Sequence, residues 1–159
     1  MKTHLLMVLL TAGILILLPP ISRSHCQIPC GIYDDAMRYD MLEEHITTIE
    51  KSMNQINELS AASEINYNQL VRWITNKEDH CGKFMDIVWQ YFMTQRIKPT
   101  AVDAGEEYNG YITQLTTMHE MLVTAMKCKQ TTDTANTDRL KELVAKSKQL
   151  YFKDHGHEH

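Results

Sequence analysis

From Ala36 to Leu59 the apolar residues Met37, Met41, Ile46, Ile49, Met53, Ile56 and Leu59 recur every three to five positions, which lays one stripe along an amphipathic helix. A second pattern runs from Glu64 to about Ile97 through Leu70, Val71, Ile74, Cys81, Phe84, Met85, Val88, Trp89 and Phe92. It stops at Lys98-Pro99, because the residue before a proline is pushed out of the helical region. The third, from about Val102 to Lys129, has the cleanest 3.6-residue period: Tyr108, Tyr111, Ile112, Leu115, Met118, Leu122, Ala125 and Met126. Thr100 and Asp103 stand ahead of it at capping-box spacing. Polar residues from Gln130 to Thr137 read as a loop, and a fourth helix follows from Asp138 to about Phe152 with Leu140, Leu143, Val144, Leu150 and Tyr151. Four amphipathic helices with short connections predict an all-α, antiparallel four-helix bundle in one domain.

The first 24 residues do not belong to that pattern. A short basic start (Lys2, His4) precedes fourteen mostly apolar residues from Leu5 to Leu18, then Pro19-Pro20 and small residues at Ser22 and Ser24. A spanning helix needs about 20 residues, so this reads as a secretory signal cleaved before His25, leaving 25–159 as the mature domain without a membrane anchor. The implied destination is periplasmic or extracellular. The leader takes Lys2 and Arg23 with it, so the mature chain has 14 basic against 20 acidic groups. A net charge of minus six and no basic patch argue against nucleic acid. Ten Met residues are ordinary filler for a helical core.

Cleavage there exposes His25-Cys26-Gln27-Ile28-Pro29-Cys30-Gly31-Ile32-Tyr33 as an irregular terminal segment (25–33). An α-amino group, with a pKa near ~7.7–8, sheds its proton far more readily than lysine and can bind metal at neutral pH. The Cys26 thiolate and backbone nitrogen lie beside that amine, so two small chelate rings can close on one ion. Amide ligation is driven well by nickel(II) or copper(II), and the Cys30 thiolate can complete a square of two nitrogens and two sulfurs. That geometry suits nickel or copper, whereas zinc prefers a tetrahedron. The His25 imidazole remains as an axial donor, with Pro29 helping to fix the returning turn.

His25-Cys26-x-x-Pro29-Cys30-Gly31-x-Tyr33 resembles the amino-terminal metal hook of the nickel-containing superoxide dismutases. Lys77-Glu78 and Trp89-Gln90-Tyr91-Phe92 look like features of that family's second helix. The resemblance implies one nickel ion per subunit, bound by His25, Cys26 and Cys30, in a protein that turns superoxide into dioxygen and hydrogen peroxide. It implies that Tyr33 stands over the open metal face, that Tyr91 is the tyrosine supporting it, and that six bundles form a homohexamer. It also implies an acidic and a basic side chain behind the axial imidazole, for which Asp40 or Glu43, and His80, are the candidates. Gln27 departs from an acidic position of some members without touching a ligand.

Other readings stay open on the residues alone. Cys26 and Cys30 could staple a turn as a disulfide. An exported nickel- or copper-binding bundle or metal chaperone could use the hook, with the His-rich tail 153–159, without turnover. A bundle anchored by an uncleaved leader would have no free His25 amine. Cys81 and Cys128 either pair across the bundle, which an oxidising compartment favours, or lie buried as small apolar residues. Lys77, Arg96 and Lys98 are the cations that could draw in an anionic substrate. His45 and His119 lack ligand-spaced partners and read as ordinary helix residues, while Tyr39, Tyr108 and Tyr111 suit packing or subunit contacts better than chemistry.

Overall fold

The computed structural model describes residues 35–155. Four helices account for nearly all of them: α1 (Asp35–Ser60), α2 (Tyr67–Asp86, prolonged by a π-helical stretch Ile87–Arg96), α3 (Glu106–Gln130) and α4 (Ala135–His155). Each helix packs on its neighbour in sequence, and α4 closes back onto α1. Cross-helix pairs confirm antiparallel neighbours: Ser52 with Asn76 and His45 with His80 join α1 to α2, while Tyr39 with Ser147 and Glu50 with Lys141 join α1 to α4. No described helix is long and apolar enough to cross a membrane.

The predicted stripes supply much of the core, but Leu42 and Met121, outside them, are also fully buried, while Met37, Trp89 and Met126, inside them, are exposed. Leu42, Ile46, Ile49 and Met53 of α1 meet Phe84, Val88 and Phe92, then Met118, Met121 and Ala125, then Leu140, Leu143 and Val144. Tyr39 is fully buried among Phe92, Tyr151 and Phe152, and it shares a 2.9 Å hydrogen bond with Ser147. Such a hydroxyl stays in the core because it has a partner.

Several local expectations are corrected. The Thr100–Asp103 capping box does not form: the Thr100 hydroxyl turns to the Lys98 carbonyl, Val102–Ala104 make a 3-10 turn, and Gly105, with φ of 65°, swings the chain into α3 at Glu106. A left-handed residue is natural for glycine alone. The last loop is shorter than predicted, because the Asp133 carboxylate accepts the Ala135 backbone N–H 3.0 Å away and starts α4 three residues early. Cys81 and Cys128 are free thiols, both fully buried, so the bundle carries them as small core residues.

Lys77 has no surface role. Its side chain is 5 % exposed, and its ammonium donates to the carbonyls of Cys128 (2.8 Å), Lys129 and Thr131 (3.3 Å) at the C-terminus of α3. Those carbonyls have no intrahelical partners and carry the negative end of the helix dipole, so a buried cation there closes the helix. The N-terminal half of α2 is different: Tyr67, Val71 and Ile74 are exposed, and no α2 residue before Lys77 is buried.

Candidate functional site

His25, Cys26, Cys30 and Tyr33 lie outside the described residues, which begin at Asp35, two positions after Tyr33. With a chain start at His25, they would offer a primary amine, an imidazole, a backbone amide and two thiols within six residues. That set suits a nitrogen–sulfur square with one axial nitrogen. Among the described residues no group of three or more His, Cys, Asp or Glu side chains is placed to hold a metal. The described residues do hold a polar cluster, and it lies where α1 begins.

Asp35, in the first turn of α1, is the hub of a polar cluster. Oδ1 accepts the Tyr91 hydroxyl and the Arg96 Nη2 (2.8 Å) and Nε (3.1 Å), and Oδ2 accepts the Tyr151 hydroxyl at 2.6 Å. Arg96 Nη2 also donates to the Tyr91 hydroxyl oxygen at 3.0 Å. Three elements thus converge on one carboxylate. Burial would raise its pKa, but the Tyr151 and Tyr91 hydrogen bonds and the Arg96 charge outweigh that and hold it below the usual carboxylate range. Conversely, burial and the Asp35 contact push both tyrosine hydroxyls up, so they remain donors at neutral pH.

The π-helix makes this cluster. In an α-helix residues five apart diverge by about 140° around the axis. The wider turn instead puts i and i+5 on one face. Thr94 bonding to the Trp89 carbonyl (2.6 Å), Gln95 to Gln90 (2.9 Å) and Arg96 to Tyr91 all follow that i to i+5 rule. Tyr91 lies between two guanidinium groups, with Arg96 at 5.1 Å and Arg38 at 4.8 Å from the ring centroid. Arg38, one turn beyond Asp35, keeps its buried Nε without a hydrogen-bond acceptor. Sequence reasoning missed Asp35, Arg38 and Tyr151; the five-residue spacing of Tyr91 and Arg96 carried no signal without the π-helix.

Other candidates are placed less centrally. Asp40 and Glu43 are exposed and both face Lys148 of α4, at 3.3 and 3.6 Å. His80 faces His45 of α1, Nδ1 to Nδ1 at 3.0 Å, so His45 has a partner after all and the carboxylates are not brought to His80. Of the three proposed steering cations, Lys77 is buried and Arg96 is neutralised by Asp35. Lys98 remains, lining with Arg96 and Lys153 a cleft of about 650 Å³ that also includes Glu106 and Glu107.

A family model described as nickel-containing superoxide dismutase matches residues 21–155 of the chain. Comparison with curated proteins and with solved structures gives no match.

Proposed function

The chain belongs to the nickel-containing superoxide dismutase family, and we propose that its nickel is held at a mature amino terminus by the His25 amine and imidazole, the Cys26 amide nitrogen and thiolate, and the Cys30 thiolate. The protein is an oxidoreductase that converts superoxide to dioxygen and hydrogen peroxide with nickel as cofactor. Bound nickel supplies the one-electron couple between its divalent and trivalent states, which thiolate and amide donors bring into range.

The protein's own residues do the rest. The His25 imidazole would be a further nitrogen donor to the nickel and would favour its oxidised state. Tyr33 orders water or the incoming anion and limits access. Tyr91 is a positioning residue: its proton is committed to Asp35 and its pKa is raised, so it does not serve as an acid at neutral pH. The observation that carries this reading is the family match over residues 21–155, which spans His25, Cys26 and Cys30; the Asp35–Tyr91–Arg96–Tyr151 cluster adds that Tyr91, the tyrosine expected to support Tyr33, is held in place.

Two further properties belong to the proposal. Export follows from the leader reading of residues 1–24. Assembly into a homohexamer is what the family resemblance implies, and the exposed Tyr67, Val71 and Ile74 face of α2 offers apolar surface for contact between subunits. The test is nickel per chain by elemental mass spectrometry on protein whose intact mass shows a start at His25, followed by a superoxide assay. About one nickel per chain with activity supports the reading; a metal-free chain two hydrogens lighter per disulfide contradicts it.

A further inference from the structure

His45 of α1 and His80 of α2 meet with their Nδ1 atoms 3.0 Å apart, rings nearly perpendicular at 74° and centroids 5.0 Å apart. Both side chains are half-buried, and each Nδ1 has the other as its hydrogen-bond partner. We propose that this pair is a second metal site, built on bundle residues alone, which takes one divalent transition ion of nitrogen preference such as nickel(II), copper(II) or zinc(II).

The spacing favours it. With metal–nitrogen distances of 2.0–2.1 Å, two donors 3.0 Å apart subtend roughly 94° at the ion. That is the cis angle of square-planar or octahedral nickel and copper, and an opening of about 0.3 Å reaches the tetrahedral angle of zinc. The ligands come from two neighbouring antiparallel helices, so the ion would clamp α1 to α2. Water completes the coordination, since the pair is partly open.

The chemistry of the pair is also suitable. Burial, together with the Lys83 charge, lowers the pKa of each imidazole, and in His45 the neighbouring His80 acts in the same direction. The rings are therefore neutral, as ligands must be, at neutral pH. In the metal-free pair one Nδ1 carries the proton and the other accepts it. Binding requires only that the donating ring move its proton to Nε2 through solvent, with no net release. Glu44 and Asp79, beside the two histidines in sequence, favour positive charge there and offset Lys83.

The test uses the full chain with Cys26→Ser and Cys30→Ser, so that the hook thiolates are absent from every sample and its failure or success bears on this site alone. Zinc(II) is titrated calorimetrically into this parent and into the same chain carrying His80→Gln or His45→Gln, the terminal amine and the His-rich tail being common to all. The proposal predicts that either glutamine variant loses about one equivalent of zinc, or binds it at least tenfold more weakly. Zinc should also shift the imidazole nitrogen resonances of His45 and His80 in the parent. Identical stoichiometry and affinity in parent and folded variants, or unmoved resonances, overturns it. Two variants on different helices, each checked by circular dichroism, guard against misreading a folding defect.

Discussion

The Tyr91 hydroxyl donates to the Asp35 carboxylate across 56 residues of sequence, joining the first turn of α1 to the π-helical end of α2. Asp35 stands two positions after Tyr33 in the sequence, and the bond fixes the start of α1 against the end of α2. Tyr151 and Arg96 fill the remaining acceptor positions, and the carboxylate has little freedom left.

Asp35→Asn should therefore cost stability. Losing charge-assisted bonds to Arg96 and two tyrosines, in a cluster that is partly exposed, removes about 2–3 kcal/mol and lowers Tm by roughly 8–12 °C. The sign of the pH dependence follows from the depressed folded pKa of Asp35. Its contribution is complete above the unfolded value near ~3.9 and is lost as pH falls through the lower folded value. The wild type and Asp35→Asn should converge in acid; curves that stay parallel down to the acid-unfolding limit would contradict the assignment.

Tyr91→Phe keeps the ring between Arg38 and Arg96 but removes the donor. About 1 kcal/mol of stability should go. Nickel should remain at one per chain, while kcat/KM falls severalfold if Tyr91 supports Tyr33 as proposed. Undiminished activity at full nickel loading would remove Tyr91 from the site.

Lys77→Met tests a structural role against a steering one. Three carbonyls at the end of α3 lose their donor, at a cost of about 2–4 kcal/mol, and hydrogen exchange should rise over Cys128–Thr131. The ionic-strength dependence of the superoxide reaction should not change. A flattened salt dependence with intact stability would return Lys77 to the steering group.

The four helices were legible in the sequence because a 3.6-residue stripe survives wherever a helix buries one face, as Ile46, Ile49, Met53 and Ile56 do. The N-terminal half of α2 shows where that inference fails: Val71 and Ile74 fit the stripe but remain exposed, because periodicity reports an apolar face without naming what covers it. The π-helix was illegible, since Ile87–Arg96 contains no Pro or Gly to mark it, and with it went the Asp35 cluster. The pairing of His45 with His80 was hidden for a related reason. Both look ordinary on their own helices, and only the register between α1 and α2 joins them.

That pair predicts a pH response of its own. Because both folded pKa values are lowered, chiefly by burial, the unfolded chain takes up protons first as pH drops below about 6.5. Stability from the neutral pair is present above that value and is lost as pH falls through the lower folded values. Denaturant titrations of metal-free protein should show wild type losing more stability between pH 7 and pH 5 than the His45→Gln, His80→Gln double variant. Equal losses would show that the pair titrates like free histidine.

If the His25 amine is a nickel ligand, one residue added before it removes that ligand, and the most direct measurement compares protein starting at His25 with protein carrying one extra glycine before it. Both should show the same helical circular dichroism and the same melting of the bundle once nickel is removed. The chain starting at His25 should hold about one nickel and dismutate superoxide, and the extended chain should do neither. Full nickel content and wild-type activity in the extended chain would contradict the account.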